Sequence, residues 1–179
     1  GPKLVDWNDP ERLQHVAYEV DRFAVAADVV DPGEIDQEQY DAVADVFALP
    51  SACLLINSAL FRTLRGFDPD IPHRGEQVAL CGRGQRVGAR VMVVPDARVR
   101  QREDLLGRTG VDDIRRTRAR HQLRTILVTA SRPELFVTLP LFALLTLGEA
   151  AIALLAGRIS QVRDVFGAWS WNARRLGAI

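Results

Sequence analysis

A glycine, a carboxylate and an amide stand together at the start of a predicted helix, as Gly75, Glu76 and Gln77. A carboxylate can accept the proton of a hydroxyl group, which is how a general base activates an oxygen nucleophile. A side-chain amide cannot accept a proton at neutral pH, so Glu76 is the candidate base of this pair. The helix dipole also favours an acidic residue in a first turn, and this purely structural explanation stays open for Glu76.

The histidines and cysteines give little indication of a metal or nucleophile site. His15 and His73 are isolated and have no partner at the spacing of a metal site. Cys53 and Cys81 are the two cysteines of the 179 residues, too few for a disulfide scaffold or a multi-cysteine zinc module. Neither cysteine belongs to a signature with a nearby histidine, so both are expected to be small buried hydrophobic residues.

The hydrophobic pattern predicts strands and helices that alternate along the first hundred residues, which is typical of an α/β layer. The acidic segment 28–45 is interrupted by Asp31-Pro32-Gly33 and predicts a long surface loop. Strands are predicted at residues 4–7, 46–57 and 90–94, and helices at residues 10–18, 59–65 and 76–87.

Residues 46–103 resemble the C-terminal part of the catalytic domain of family 2 glycosyltransferases, which have a Rossmann-like GT-A fold. The resemblance lies in the order and spacing of several motifs. They are a small-residue strand at Ser51-Ala52-Cys53, a turn from Phe61 to Asp68, the helix opened by Gly75-Glu76-Gln77 with Arg83 within it, and Val94-Pro95-Asp96-Ala97. The expected fold class is therefore α/β, a partial GT-A domain.

The resemblance implies roles for individual residues. The family's catalytic Asp aligns with Gln77, beside Glu76, and its later His aligns with Gln101. Ser51, Asp68 and Arg83 fall on other motif positions and are expected to contact substrate, although the sequence around Asp68, beside Pro69, favours a turn residue over a ligand. Trp7 either stacks on an acceptor or anchors the end of a strand.

The opening residues, Gly-Pro-Lys-Leu-Val-Asp-Trp, resemble the strand that follows the metal-binding motif in large actinobacterial members of the family. By that resemblance the chain is the acceptor-side half of the domain. The nucleotide sugar donor and a divalent metal, Mg²⁺ or Mn²⁺, would then be held by an N-terminal half, and no metal ligands are expected in this sequence.

The net charge of zero conceals a gradient along the chain. Residues 1–57 carry 3 basic and 12 acidic side chains, whereas residues 98–124 carry 9 basic and 4 acidic ones. A zero total argues against a nucleic-acid-binding domain, which normally has a basic excess, and no aromatic residues are interleaved with the arginines. Nucleic acid is therefore not an expected partner.

The last third of the sequence predicts a membrane anchor. Residues 111–130 form an arginine-rich helix, and residues 135–156 contain Glu149 as their only formal charge. At 1.5 Å per residue this run is about 33 Å long, enough to cross a bilayer or insert deeply into one. Residues 160–176 predict an amphipathic interfacial helix with Trp169 and Trp171. A buried helical hairpin of a soluble core is the alternative.

These features divide the chain into four expected segments. They are the acceptor-side part of a glycosyltransferase domain (1–104), a basic juxtamembrane helix (105–131), a transmembrane helix (132–158) and an interfacial helix (159–179). Basic residues are richer on the N-terminal flank of the span, which favours a cytoplasmic catalytic side at the cell membrane.

The leading hypothesis is transfer of a sugar from a nucleotide sugar to a cell-envelope glycan or a lipid-linked acceptor, with membrane lipids as further partners. A catalytically inactive, glycosyltransferase-like membrane scaffold is the alternative, because Gln77 and Gln101 depart from the family pattern. A lipid-binding module built on the arginine-rich helix is a third possibility.

Overall fold

The structure is a computed structural model that describes residues 1–31, 33–73, 75–102 and 111–178, without the side chains of 111–114 and 178. The chain divides into two compact units. The first comprises residues 1–21 and 26–108, and the second comprises residues 22–25 and 109–179. Residues 103–110, which the sequence places at the end of the catalytic part and the start of the basic segment, lie outside the description.

The first unit contains seven strands and two helices within the described residues. The elements are β1 (Lys3–Asp6), β2 (Leu13–His15), β3 (Tyr18–Val20), β4 (Ala26–Asp28), β5 (Ala44–Asp45), α1 (Ser58–Thr63), α2 (Glu76–Arg86), β6 (Met92–Val93) and β7 (Arg98–Gln101). A central parallel pair, β1 with β7, is extended by β2, which runs antiparallel to β1. The other strands form two separate two-stranded sheets, β3 with β4 and β5 with β6.

Apolar side chains from these small sheets form the core of the first unit. Val5 and Leu13, from paired strands, pack with Val30 and Val93, and a second cluster joins Ala48 to Val78 and Cys81 of α2. Residues 78–82 of α2 are all buried, so the middle of this helix is enclosed on every side. The mixed α/β class is confirmed, whereas a Rossmann-like GT-A layer stays a prediction.

The predicted helix at residues 10–18 is wrong, because this segment forms β2 and the start of β3. Leu13 pairs with Val5 and is completely buried, so core packing favours an extended chain over a short helix of modest amphipathicity. The predicted strand at 46–57 is also wrong as a strand. Ala48 makes one isolated bridge with Tyr18, and a turn follows from Ser51 although Ala48 and Leu49 are buried.

Helix α1 begins one residue earlier than expected because Asn57, not Ser58, is its N-cap. The Asn57 Oδ1 accepts hydrogen bonds from the backbone N–H groups of Ala59 and Leu60, at 2.9 and 3.1 Å. The chain leaves α1 through Gly66, whose φ of 68° is readily adopted by glycine. The predicted strand at 90–94 is present as the shorter β6.

The second unit consists mainly of three helices, α3 (Val111–Thr129), α4 (Arg132–Leu155) and α5 (Ile159–Ala173), followed by a short 3₁₀ turn. Ser131 and Glu134 form a reciprocal capping box at the start of α4. The chain therefore begins a new helix at the apolar segment, as the sequence predicts. Leu123 and Ile126 of α3 pack against Phe142 of α4.

Among the described residues, α4 is the one helix long and apolar enough to cross a membrane. Its most apolar window has a mean hydropathy of 2.0, and only 17% of that window is buried. Pro140 lies inside this continuous helix. The length and composition are compatible with membrane association.

Candidate functional site

The start of α2 brings Glu76 and Gln77 together, as the sequence predicts. Gly75 precedes the helix at φ 132°, a left-handed conformation that favours glycine, and its N–H donates to Glu76 Oε2 at 3.1 Å. The Gln77 amide, with its nitrogen facing the carboxylate, donates to both Glu76 oxygens at 3.1 and 3.2 Å. Gln77 therefore orients the Glu76 carboxylate by hydrogen bonding. Its amide is a much weaker proton acceptor than that carboxylate.

Tyr18 of β3 links this helix start to a second group of polar side chains. The pKa of Tyr18 is raised to about 12, mainly by burial and in addition by the negative charges of Asp28 and Glu76. Both carboxylates therefore lie within electrostatic range of the Tyr18 hydroxyl. Asp28 of β4 is the residue paired with Tyr18 in the β3–β4 sheet.

The second group is a histidine–aspartate pair. His15 Nδ1 is hydrogen-bonded to Asp28 Oδ2, while Asp28 Oδ1 accepts the backbone N–H of Val30 at 3.2 Å. The His15 ring also contacts Tyr18, with ring centroids 6.0 Å apart. His15 is 22% exposed, and the described residues provide no hydrogen-bond partner for its Nε2. A carboxylate on one ring nitrogen and a free second nitrogen are the arrangement of a general base.

A third polar group lies at the carboxyl ends of the parallel strands β1 and β7, where Asp6 is the register partner of Gln101. Gln14 donates to Asp6 Oδ2 at 2.9 Å. Backbone N–H groups of Asp9 and Asn8 bind Asp6 Oδ1 and lower the pKa of that carboxyl. Within the described part of the chain, the buried Oε1 atoms of Gln14 and Gln101 have no hydrogen-bond partner.

Trp7 follows Asp6 directly and has half of its surface exposed. Two predicted site residues, Trp7 and Gln101, therefore belong to the same edge of the sheet. In α/β proteins this edge, beyond the carboxyl ends of parallel strands, is where ligands bind. An exposed indole ring at this edge is suited to stack on the apolar face of a ligand.

Two other predicted site residues, Asp68 and Ser51, lie in turns. Asp68 is buried and its Oδ1 accepts the backbone N–H of Asp70 at 2.9 Å, which is the turn role that the sequence left open. Ser51 lies exposed in the turn that replaces the predicted strand. A substrate contact by either residue stays a prediction.

Arg83 of α2 fastens the segment that follows α1. Its Nη1 donates to the Leu64 carbonyl and its Nη2 to the Gly66 carbonyl, both at 2.7 Å, while Nε donates to the Ala79 carbonyl at 3.1 Å. The planar guanidinium group matches these two neighbouring carbonyl groups as a lysine ammonium group cannot. These contacts give Arg83 a structural role near Gly66.

We expect Arg83→Lys to lower the free energy of unfolding by about 1–3 kcal/mol, because hydrogen bonds from a charged donor to buried carbonyls are lost. Urea unfolding of the detergent-solubilised chain measures the change. Arg86→Lys, on the exposed side of the same helix, is the matched control and should change stability by less than about 0.5 kcal/mol. Equal effects of the two substitutions would contradict the structural role of Arg83.

Sequence reasoning missed the His15–Asp28 pair because the two residues are 13 positions apart and lie on different strands. His15 was expected to be an isolated residue. The signal that could have indicated the pair is the alternation of Tyr18 and Val20 with Glu19, a strand pattern that starts at the last residue of the predicted helix. Two strands in this region would have made a hairpin-like pairing with residues 26–28 plausible.

The described residues contain no group of three or more His, Cys, Asp or Glu side chains placed to hold a metal ion. The pairs described above, His15 with Asp28 and Glu76 with Gln77, each lack a third ligand of this kind. The family resemblance places the divalent metal in an N-terminal half, and that assignment stays a prediction.

Comparison of the chain with protein-family models, with curated proteins and with solved structures gives no match. The described residues form a mixed α/β unit and a helical unit, and the helical unit contains one apolar helix of membrane-spanning length. The function of the chain is inferred from the polar groups of the first unit and the motif order of the sequence.

Proposed function

We propose that the chain is the acceptor-side part of a membrane-associated glycosyltransferase. It would transfer a sugar from a nucleotide sugar to a cell-envelope glycan or a lipid-linked acceptor, at the cytoplasmic side of the cell membrane. The observation that carries the proposal is the His15–Asp28 pair, a proton-accepting group in electrostatic range of the same tyrosine as Glu76. The motif order over residues 46–103 supports the same reaction class.

The reaction needs a base for the acceptor hydroxyl. In an inverting transfer the acceptor oxygen attacks the sugar C1 while the base takes its proton, and the nucleoside diphosphate leaves from the opposite face. Gln77 occupies the position where the family resemblance places this base, and an amide cannot perform the step. His15 would take the proton on Nε2, while Asp28 orients the ring and stabilises the imidazolium formed.

The edge of β1 and β7 would hold the acceptor. Trp7 presents an exposed ring on which a sugar can stack, and Gln101 would supply an amide from the end of the neighbouring strand. Glu76 would orient an acceptor hydroxyl through its free carboxylate lone pairs. The donor and its divalent metal would belong to the N-terminal half implied by the resemblance, so no step is assigned to the metal.

A catalytically inactive membrane scaffold is the second candidate, and one contact favours it. The Gln77 amide donates to the Glu76 carboxylate, so both residues at the family's base position are engaged with each other. In this candidate the chain keeps the fold and the membrane helix in order to assemble with a partner enzyme. His15 would then be a structural residue.

The deciding experiment uses membranes that contain the longer chain, including the donor-binding half that the resemblance implies. A panel of nucleotide sugars is supplied together with envelope lipid extract, and release of nucleoside diphosphate is measured. We expect release with at least one donor. No release with any donor would overturn the proposal and favour the scaffold.

Gln77→Asp tests the family's base position in the same assay. We expect the substitution to raise the rate of transfer about tenfold, because it places a second proton acceptor at the helix start. Gln37→Asp adds the same charge in an exposed loop and should leave the rate unchanged. A rate that Gln77→Asp leaves unchanged or lowers would contradict the alignment of Gln77 with the family's base.

A further inference from the structure

Helix α4 carries a broad apolar surface that the rest of the second unit leaves exposed. Val137, Leu144 and Leu155 all lie on one side of the helix, within about 20° of one another at 100° per residue. The exposed large apolar residues of α4 are Phe136, Val137, Leu141, Leu144, Leu145, Leu147, Ile152, Leu154 and Leu155. A continuous patch of this kind marks a surface that is covered in the working protein.

The opposite side of α4 is covered mainly by α5, and α3 packs on α5 and meets α4 in the apolar cluster around Phe142. Near the middle of α4, Phe142 packs against Leu123 of α3, and its ring centroid is 6.0 Å from that of Trp169 in α5. Trp169 Nε1 also donates to Thr146 Oγ1 at 3.2 Å. Towards the C-terminal end of α4, Arg115 of α3 binds Asp164 of α5 at 3.0 Å. The two covering helices are therefore level with the central and C-terminal parts of α4.

This packing places charged side chains beside the middle of α4. Residue 142 is near the centre of the helix, and Leu123 and Trp169 mark the same level on α3 and α5. Arg118 is five residues from Leu123, and Arg174 is five residues from Trp169, so each is about 7.5 Å along its helix from that level. Both arginines are exposed.

If α4 crossed the bilayer, its centre would lie at the midplane of a hydrocarbon core about 30 Å thick. Arg118 and Arg174 would then lie inside the hydrocarbon on the outer side of α3 and α5. An arginine at that depth is strongly unfavourable unless it faces protein or water. A spanning orientation therefore conflicts with the helices that pack on α4.

We propose that the second unit is a monotopic membrane anchor, in which α4 lies in the plane of one leaflet and α3 and α5 lie at the level of the lipid headgroups. The occupant of the apolar α4 surface is thus the acyl-chain layer of a single leaflet. The inference rests on the membrane association in the proposed function, and it does not depend on sugar transfer.

The charges of the covering helices complement an anionic leaflet. Among the described side chains of α3 and α5 the one acid is Asp164, which is paired with Arg115. The exposed arginines of these helices are Arg116, Arg118 and Arg163, with Arg174 directly after α5. Basic residues near the surface are attracted to anionic headgroups, whereas they would oppose burial in hydrocarbon.

Glu149, the acid in the C-terminal half of α4, also fits this orientation. It lines a cleft of ≈ 320 Å³ between the three helices, and Arg115 and Arg158 lie in the same lining. If α4 lies in the membrane plane, this cleft is on the side of α4 that faces α3, α5 and the headgroups. The Glu149 carboxylate is then near Arg115 and Arg158, and the acyl chains contact the exposed apolar side of α4.

Labelling of single cysteines distinguishes the two orientations. Arg132→Cys and Arg158→Cys, at the two ends of α4, are introduced separately into a Cys53→Ser/Cys81→Ser background. A membrane-impermeant maleimide is then applied to right-side-out and to inverted vesicles. We expect both positions to react from the same face. Reaction from opposite faces would overturn the proposal, and it would leave the nucleoside diphosphate assay unaffected.

The membrane depth of spin labels on α4 provides a second test, in which the buried Cys81 is left unchanged. Labels are attached at position 137, 144 or 155, one at a time, and their depths are compared for the full chain in vesicles that contain anionic phospholipid. These positions span about 27 Å on one side of the helix. We expect the three labels to report the same depth. A Leu144 label clearly deeper than both others, or a chain that does not bind the vesicles, would overturn the proposal.

Discussion

Replacing His15 with Gln should lower the rate of sugar transfer by about 100- to 10,000-fold, the range that a positioned general base contributes. Glutamine keeps a donor that can bind Asp28, but it has no nitrogen that can accept a proton. The Michaelis constant for the donor should change little, because the proposed role of His15 lies in the chemical step. Initial rates with the longer chain in membranes measure both quantities.

Asp28→Asn separates orientation of the ring from the proton transfer itself. The asparagine leaves His15 in place but removes the negative charge that stabilises the imidazolium, so we expect an intermediate loss of rate. His73→Gln, at an exposed position of the same unit, is the control and should keep the full rate. A full rate in His15→Gln would show that another group takes the proton, and it would remove the observation that carries the proposed function.

The parts of the fold that the sequence predicts well are those whose stability is local. Helix α2 follows a helical pattern after Gly75, and α4 follows a capping box and a long apolar run, so both lie close to their predicted positions. Caps and apolar periodicity act within a few residues and can be read from the chain. The same holds for β1, whereas the acidic segment 28–45 is only partly the predicted surface loop, because Val30 and Asp36 are buried.

The parts that the sequence does not predict depend on distant contacts. Asp9 and Pro10 are suited to start a helix over residues 10–18, but the pairing of Leu13 with Val5 stabilises a strand there instead. Residues 46–57 are apolar enough for a buried strand, yet the described residues offer Ala48 only a single bridge partner, Tyr18. Tertiary context routinely overrides such local preferences.

The candidate site divides in the same way. Glu76 and Gln77 are adjacent in the chain, so their contact follows from the sequence. The pairing of Asp6 with Gln101 joins parallel strands that are 95 residues apart in the chain, and the His15–Asp28 pair depends on short strands that were not predicted. The alternation at residues 18–20 is a local sign of a strand, but a single sequence contains no physical signal for the distant segment that pairs with it.

A buried ion group anchors the acidic segment to the sheet and predicts a large change in stability. Lys3 of the central strand β1 is completely buried, and its Nζ binds both oxygens of Asp36, at 3.0 and 3.2 Å, and also Asp41. Asp36 is almost fully buried as well and has a second partner, Arg98 of β7, at 3.0 Å. The group therefore joins residues 36 and 41 to the parallel pair of strands.

Lys3→Met should lower the free energy of unfolding by about 3–5 kcal/mol, because it leaves the Asp36 carboxylate buried with one half-exposed partner. Urea unfolding of the whole chain in detergent, followed by hydrogen exchange of the β1 and β7 amides, measures the loss. Asp41→Asn is the control. Asp41 is 48% exposed, so water replaces the lost pairing and the cost should stay below about 1 kcal/mol.

The double variant Lys3→Met/Asp36→Leu tests whether the loss comes from the uncompensated charge or from the lost packing of the lysine stem. Replacing a buried ion pair by apolar residues of similar volume is often neutral or stabilising, so we expect most of the stability to return. Arg98, which loses its carboxylate partner, is partly exposed and keeps its bond to the Pro10 carbonyl at 2.9 Å. A double variant as unstable as Lys3→Met would show that the packing of this side chain, and not its charge, holds the acidic segment against β1.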